Sequence, residues 1–464
     1  MDLAPIQADL SRALFQNALF KDEALVLSRT ENSDLLPISK ECSRDFFGRV
    51  FAPNGPLWGM YSEAKLGYAP YGSTYLNFIA GRMYFCRNVE GRFMRTSGME
   101  KKFGLKDGAL TEYAPYGPAN LLLLISSPFD MLSQALDISL LPLYVNERIS
   151  GFLDFKAKAL NFYAERKDSP TDPIELALES QSMAAQAMHY SFVSSLAAAL
   201  GIKLKDSDAW KECEAEELYT LLAGGKKEEA LLRFGFHSAS PYDISSPRFH
   251  EDLKYAKRPL QPFPKDKYAR LRENAKFVCS RYLDLARDAY VSIGEESGLG
   301  GDIFHLGVPE LKDALHDPRN WKMKAQARKV AYEKFSGNDF PGTLVWFSGS
   351  WVEPEEKKNS GISGVPAGAA ITAEGPSVLV NGAKDYSKDV LGKIIISKTF
   401  SPDLAPLLKG AIGLVSESGG ALAHSAIIAR ELGMPCIVQA KGISGLAEGT
   451  RIEVNGKTGR IDIK

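Results

Sequence analysis

The sequence is poor in cysteine and has no long apolar run. Its five cysteines in 464 residues are scattered and form no CxxC pair, which argues against a disulfide framework or a cysteine zinc site and favours a reducing cytosol. The longest apolar stretch, around residues 121–125, is far too short to span a bilayer. The first residues lack a basic stretch followed by an apolar one, so we expect no signal peptide. These absences predict a cytoplasmic protein with no membrane partner.

An excess of charge of either sign is also absent. The chain has 56 basic and 57 acidic residues and a formal net charge of -1. Such a balance gives no overall attraction to nucleic acid or to an anionic membrane, and we expect no nucleic-acid partner. The length and the 45% hydrophobic composition are sufficient for two or three separate cores.

The middle of the chain carries the strongest helical pattern. From about 150 to 335 the spacing of apolar residues favours helices, above all over residues 178–201 and 266–297. The second of these segments places six residues on one apolar stripe: Leu271, Ala275, Val278, Tyr282, Leu285 and Ala289. Further upstream, the aromatic-rich segment Tyr75–Phe85 predicts a strand that is interrupted at Gly81.

The pattern of residues changes after a charged, apolar-poor segment at 353–363, which has the composition of a linker. Short β-like runs separated by glycines follow it, with one helix at about 424–432. We therefore predict an α+β chain that consists of a mostly helical domain (1–345), a linker (346–362) and a small domain (363–464).

One histidine in the small domain has the surroundings of an anion carrier. The strand predicted over residues 412–415 runs into a turn that holds Gly419 and Gly420, and His424 then begins a helix that Gly433 ends. The N–H groups and the positive dipole end of a helix N-terminus stabilise an anion. Imidazole is nucleophilic near pH 7, and phospho-imidazole is a reactive donor. These residues alone also allow a capping or buried polar role.

The string GGALAHSAIIARELGMPCIV at residues 419–438 resembles the swivelling phosphohistidine domain of phosphoenolpyruvate-utilising enzymes. Phosphoenolpyruvate synthase, pyruvate phosphate dikinase and rifampin phosphotransferase contain this domain. The resemblance spans about 362–464 and implies a three-layer β/β/α fold with the phosphoryl group on His424. It also implies three phosphoryl-binding positions: Gly419, Gly420 and Arg430. The family usually has Ser or Thr immediately before the histidine, whereas this chain has Ala423.

The segment Phe234–Asp252 resembles the central, substrate-binding domain of the rifampin phosphotransferase-like dikinases. Five residues match that domain's motif: His237, Asp243, Pro247, Arg248 and Glu251. Chemically, His237 is a candidate general base for the acceptor, and Arg248 and Arg29 are candidates to clamp the phosphoryl group. Equally, these groups could stabilise turns and pair with nearby acids.

Dikinases of this family normally carry an ATP-grasp domain, and no such region is recognisable in this sequence. We therefore expect ATP and Mg²⁺ to be bound by an ATP-grasp partner subunit or a missing domain, and no cofactor to be held tightly by this chain. The hypothesis is a dikinase-type phosphotransferase component that passes a phosphoryl group from His424 to a small-molecule acceptor. A protein phosphocarrier without acceptor chemistry and a non-catalytic scaffold remain alternatives.

Overall fold

In the computed structural model, the chain is mixed helix and sheet, as expected for the α+β class. The structure describes fifteen segments: residues 6–20, 24–29, 38–64, 74–89, 140–167, 171–238, 240–251, 266–336, 340–347, 349–352, 362–382, 385–400, 402–419, 424–440 and 442–464. No helix within these segments is long and apolar enough to cross a membrane. All five cysteines are buried.

A five-stranded antiparallel sheet joins the beginning of the chain to residues near 350. In chain order its strands are β1 (Leu25–Ser28), β2 (Leu76–Ile79), β3 (Arg82–Cys86), β4 (Thr343–Phe347) and β5 (Ser350–Val352), and their order across the sheet is β2-β3-β1-β4-β5. The predicted break at Gly81 is the turn of the β2–β3 hairpin. Ala80 (φ 50°) and Gly81 (φ 77°) both occupy the left-handed region there, as a tight hairpin turn requires.

The position of the β4–β5 hairpin corrects the predicted linker. Residues 346–352 do not connect two domains, because Trp346 pairs with Leu25 and Val352 with Val345 within the first sheet. Backbone pairing beside β1 places this stretch in the sheet, and Trp346 and Trp351 pack partly buried against the core. Residues 353–361 of the predicted linker lie outside the described residues.

Helices lie before β2 and make up most of the described residues between β3 and β4. They are α1 (Gln7–Gln16), α2 (Glu41–Val50), α3 (Pro56–Glu63), α4 (Phe152–Lys167), α5 (Pro173–Leu200), α6 (Asp208–Lys211), α7 (Glu214–Ala223), α8 (Lys227–Phe234), α9 (Lys267–Glu296), α10 (Val308–His316) and α11 (Pro318–Ser336). Residues 140–150 are also helical. Asp172 caps α5 and Asp266 caps α9, each accepting a backbone N–H of the first turn.

The long helix α9 lies at the centre of this part of the protein. The predicted apolar stripe is buried, with Leu271, Tyr282 and Leu285 at 0% exposure. Burial extends well beyond the stripe, however, because α5 and several shorter elements pack around the helix. Charged residues such as Asp284 and Arg287 are therefore enclosed as well.

The C-terminal part contains a second, eight-stranded sheet. Its strands are β6 (Ile362–Ser363), β7 (Val365–Pro366), β8 (Thr372–Leu379), β9 (Ile394–Ser397), β10 (Gly413–Ser416), β11 (Cys436–Val438), β12 (Arg451–Asn455) and β13 (Arg460–Ile463), in the order β6-β13-β12-β8-β9-β10-β11-β7. The run β8-β9-β10-β11 is parallel. Helix α12 (His424–Glu431) buries Ala426 and Ala429 in one apolar cluster with this sheet, and Ile394, Ile396 and Val415 belong to a second cluster.

Close backbone approach requires glycine at positions 364 and 368. A Cβ at position 368 would lie 2.4 Å from the Cys436 nitrogen and 2.5 Å from the Met434 oxygen. We expect Gly368→Ala to destabilise this sheet edge by about 1–3 kcal/mol, the usual cost of overpacking. Hydrogen exchange of the β11 amides in the full chain measures this. Gly382→Ala is the control because a Cβ there meets nothing within 4 Å, and equal protection in both variants would contradict the prediction.

Candidate functional site

His424 is the first residue of α12. The helix follows β10 through a loop in which Gly419 has φ 100°, a backbone conformation that favours glycine. Because β9, β10 and β11 are parallel, their carboxyl ends meet at one edge of the sheet, and the loop to His424 leaves from that edge. Gly420 lies outside the described residues. The sequence-predicted placement of His424 at the start of a helix is therefore confirmed for the backbone.

Hydroxyl groups collect at the same strand ends. Ser418 donates from its Oγ to the Thr399 Oγ1 at 3.0 Å, and its backbone N–H contacts the Ser416 Oγ at 3.4 Å. The Ser397 hydroxyl is fully buried and has no hydrogen-bond partner within the described segments. Glu417 faces Ser444, whose N–H and hydroxyl both donate to its Oε1. The edge is thus polar and rich in donors, as an anion site requires.

Gln439 is a residue of this loop region that sequence reasoning missed. It directly follows β11 and has φ 59°, a conformation that costs a non-glycine residue roughly 1–3 kcal/mol. Its side-chain Nε2 donates to the Gly419 oxygen at 3.2 Å. The amide therefore ties the end of β11 to the loop before His424. No pattern in the sequence marks this residue, since both the strain and the contact arise from the tertiary structure.

The structure does not place Arg430 beside His424. Arg430 lies in the last turn of α12, six residues further on, or about 9 Å along the helix axis. Its Nη1 donates to the Ala367 oxygen at 2.7 Å, which anchors the helix to the segment after β7. The predicted role of Arg430 in phosphoryl binding stays a prediction.

The end of α12 contacts the start of α9. The Glu431 carboxyl is hydrogen-bonded to Asp266 and lies near Arg272. Although Glu431 stays partly exposed, burial of its carboxyl and the charge of Asp266 raise its pKa to about 7. The terminal nitrogens of Arg272 are buried without a hydrogen-bond partner among the described residues. This contact links the C-terminal sheet domain to the helical part of the chain.

His237 and Arg248 are brought together, as their shared motif predicts. Ser238 and Arg248 form a bridge, and the Phe249 N–H donates to the His237 oxygen at 2.8 Å. His237 is only 5% exposed. Its Nδ1 lies 3.1 Å from the Ser280 Oγ, and its ring stacks on Phe277 at a centroid distance of 4.3 Å. The imidazole is therefore held firmly against α9.

Arg248 is completely buried, with 0% exposure. Its Nη2 donates to the Leu283 oxygen at 2.8 Å, and its Nε lies 3.8 Å from the Asp284 Oδ1. The Nε and Nη1 have no hydrogen-bond partner within the described part of the chain. Such donors usually find partners in a folded protein. A buried guanidinium with spare donors retains the capacity to bind an anion.

Asp284 is the centre of a network that sequence reasoning did not identify. Its carboxylate is fully buried and accepts hydrogen bonds from the Tyr163 hydroxyl at 2.7 Å and the Lys167 Nζ at 2.8 Å. Burial alone would lower the pKa of Lys167, but Asp284 and Asp288 raise it above its usual range. Burial, followed by the charge of Asp284, raises the pKa of Tyr163. The available sign of this network in the sequence was the spacing of three charged residues at three-residue intervals: Arg281, Asp284 and Arg287.

The remaining matched residues of the motif have structural partners. Glu251 receives two hydrogen bonds from Arg287, both at 2.6 Å, in a bidentate pair. Asp243 accepts a hydrogen bond from the Ser43 Oγ at 3.0 Å. Arg29 follows β1 and is half-buried, and its backbone N–H donates to the Gly342 oxygen at 2.9 Å. The described contacts of Arg29 therefore belong to the first sheet, and its predicted role as a phosphoryl clamp stays a prediction.

The burial of His305 makes the stability of the helical part of the protein depend on pH. Burial, together with Lys40, Lys329 and Arg44, lowers its pKa to about 4, against the opposing effect of Asp302. The unfolded chain binds the proton near pH 6.5, so the stability that comes from a neutral His305 is complete above that pH. It is lost as the pH falls from about 6.5 to 4. Between pH 7 and pH 4.5, the free energy of unfolding measured with urea should fall less in His305→Gln than in the wild type. An equal fall in both proteins would contradict this prediction.

Metal-binding groups are not assembled within the described segments, where no three His, Cys, Asp or Glu side chains come together. Among the described residues, the polar groups closest to the candidate residues form two groups. One is the strand edge that leads to His424, and the other is the buried network of His237, Arg248 and Asp284.

Comparison with known proteins concerns the region that carries His424. A family model for the mobile domain of phosphoenolpyruvate-utilising enzymes matches residues 391–459. The uncharacterized phosphotransferase YvkC of Bacillus subtilis is 24% identical over 290 residues, which are 56% of this chain and 34% of that protein. The rifampicin phosphotransferase of Bacillus subtilis is 30% identical over 170 residues, 35% of this chain and 19% of that protein.

The phosphoenolpyruvate synthase of Pyrococcus furiosus is 29% identical over 164 residues, 34% of this chain and 20% of that enzyme. The chain thus spans about a third or less of these relatives. The matched region includes β10, α12 and β11, the elements that carry His424. Residues 391–459 of this chain therefore match the mobile domain of the phosphoenolpyruvate-utilising enzymes.

Proposed function

We propose that this chain is the phosphotransferase component of a dikinase-type enzyme, in which His424 carries the phosphoryl group. The observation that supports this most strongly is the position of His424 as the first residue of α12, after the carboxyl ends of parallel strands and inside the matched mobile domain. The N–H groups of the first helical turn would meet the phosphoryl oxygens. Gly419 and Gly420 would let the backbone approach them closely.

The reaction consists of three displacements at phosphorus. In the first, an imidazole nitrogen of His424 attacks the β-phosphorus of ATP, an N–P bond forms and the P–O bond to the α-phosphate breaks, so that AMP leaves and a pyrophosphoryl group stays on His424. In the second, water attacks the γ-phosphorus, the P–O bond between the β- and γ-phosphoryl groups breaks, and inorganic phosphate leaves. In the third, an acceptor oxygen attacks the remaining phosphorus, the N–P bond breaks and the acceptor proton passes to a base. Positioning and charge stabilisation supply most of the catalysis in such transfers.

ATP and Mg²⁺ belong to an ATP-grasp partner subunit or to a domain outside this sequence. Mg²⁺ would neutralise the phosphates of ATP in the first displacement. The small number of cysteines, which are scattered along the chain and buried, supports a cytoplasmic setting in which thiols stay reduced.

The acceptor side of the proposal lies in the helical part of the chain. Residues 1–345 would hold a small-molecule acceptor, with His237 as the general base and Arg248 as the phosphoryl-binding group. The spare donors of Arg248 support this role. Residues 363–464, as a three-layer β/β/α domain, would swivel between the nucleotide site and this site. The contact between Glu431 and Asp266 would break during that movement.

The test uses ATP labelled on the β-phosphate. The full chain is incubated with Mg²⁺ and the candidate ATP-grasp protein, and acid-labile, base-stable label on the chain is measured. We expect stoichiometric label only when both proteins are present. If no label appears from ATP with the partner or from phosphoenolpyruvate, the carrier role is wrong and the scaffold alternative replaces it.

One observation favours a second function, that of a phosphocarrier which delivers to another protein. His237 and Arg248 are 5% and 0% exposed, so the acceptor site would need to open before a small molecule could reach them. A chase distinguishes the two functions. Label that leaves His424 for a small molecule in a crude metabolite pool supports the acceptor site, whereas label that moves only to a second protein supports the carrier.

A further inference from the structure

A separate cavity lies at the C-terminal end of α2, and residues of α1, α3 and the first sheet also line it. It has a volume of about 370 Å³, within the range of pockets that enclose small ligands. None of its lining residues belongs to the network around Asp284 or to the C-terminal sheet domain. A ligand in this cavity would therefore be independent of the proposed phosphoryl transfer.

Aromatic side chains form much of the cavity wall. Phe51, Trp58, Tyr75 and Phe78 all line it. Tyr75 packs edge-on against Trp58 at 5.4 Å and against Phe51 at 5.9 Å, and Phe51 and Trp58 are only 6% and 3% exposed. These rings hold one another in place, so the wall is formed before any ligand binds. Aromatic ligands gain about 0.5–1.5 kcal/mol per ring contact beyond simple burial.

The charged groups at the cavity compensate one another. The Asp9 Oδ2 accepts a hydrogen bond from the Ala80 N–H at 2.9 Å, and its Oδ1 lies 3.7 Å from Arg12. The Asn77 side-chain amide donates to the Thr74 oxygen at 3.1 Å. A charged ligand would find no excess of opposite charge here, so the cavity favours a neutral one.

Gly48 lies at the exposed rim of the cavity. It belongs to α2 and lines the cavity, and a Cβ added at this position would meet nothing within 4 Å. Glycine inside a helix costs about 1 kcal/mol relative to alanine. A larger side chain at position 48 would therefore be tolerated by the helix and would occupy space at the rim of the cavity.

We infer that this cavity is a binding site for a neutral, planar aromatic molecule of one to three rings. The volume sets the size, the ring-lined wall selects a flat aromatic, and the compensated charges select against ions. The ligand would contact Trp58 and Tyr75 and lie next to the backbone at Gly48.

Isothermal titration of the full chain with indole and 2-naphthol tests this site, with cyclohexanol and naphthalene-2-sulfonate as non-planar and charged comparisons. Gly48→Leu fills the cavity, and its matched control is Gly59→Leu in α3, another helical glycine whose Cβ would meet nothing within 4 Å. We expect saturable binding of the two neutral aromatics, weakened at least about tenfold by Gly48→Leu and unchanged by Gly59→Leu.

Three outcomes would overturn the assignment. One is the absence of saturable binding by either aromatic, which would make the cavity a packing void. Another is binding that is insensitive to Gly48→Leu, which would place the ligand elsewhere. The last is equal affinity for cyclohexanol or the sulfonate, which would remove the selectivity for neutral planar rings. Circular dichroism of both leucine variants confirms that they are folded before the titrations are compared.

Discussion

Replacement of His424 by asparagine should abolish phosphoryl transfer, with a loss of at least about 10³-fold in labelling and in turnover. Asparagine can still accept or donate a hydrogen bond at the start of α12, but it has no nucleophilic nitrogen to form the N–P bond. The helix and its packing through Ala426 and Ala429 remain, so the loss should be chemical. Labelling from β-labelled ATP with the ATP-grasp partner, followed by acid treatment, measures it.

The control for this experiment is another histidine of the same chain. His316 is an exposed residue in the last turn of α10, and His316→Asn should be labelled like the wild type. Retention of acid-labile label in His424→Asn would show that a different residue carries the phosphoryl group. Of the six histidines in the sequence, His237 would then be the next to replace.

Asp284→Asn should destabilise the helical part of the protein by roughly 3–5 kcal/mol, the typical cost of breaking a buried ion pair. The substitution removes the negative charge that faces the buried Arg248 and the Lys167 ammonium. An uncompensated guanidinium at 0% exposure is the main source of the cost. Urea unfolding followed by circular dichroism, which reports mostly on the helices, measures the change in the free energy of unfolding.

Asp288→Asn is the matched control, because Asp288 lies one turn further along α9 and contacts the same Lys167 at 2.6 Å. Its side chain is 41% exposed, and exposed ion pairs contribute only about 0–1 kcal/mol. An Asp284→Asn variant within about 1 kcal/mol of the wild type would show that Arg248 is neutralised by another group. Phosphoryl transfer to an acceptor, measured in the same variant, reports whether the network also supports chemistry.

Local sequence patterns were sufficient to predict several helices and strands. The strand over 412–415 and the helix that begins at His424 were predicted from the local sequence, and β10 and α12 appear there. Helix α9 was predicted over 266–297 and spans Lys267–Glu296.

Contacts between distant segments were not predictable. The apolar stripe of α9 suggested a helix with one buried face, but α5 and the segment from His237 to Arg248 pack around it. Asp284 therefore became a buried acceptor for Tyr163 and Lys167, residues more than a hundred positions away. The β4–β5 hairpin likewise joined the first sheet only because its partner β1 lies at the start of the chain.

The sequence by itself determined the backbone setting of His424: the glycines before it and the helix that it begins are local features, and local spacing encodes local geometry. The tertiary structure alone decided the surroundings of the other candidate residues. It buried His237 and Arg248, paired Arg430 with the Ala367 oxygen, strained Gln439 and left a cavity beside Gly48. Burial and partner choice depend on which distant segments pack together, and no single stretch of sequence contains that information.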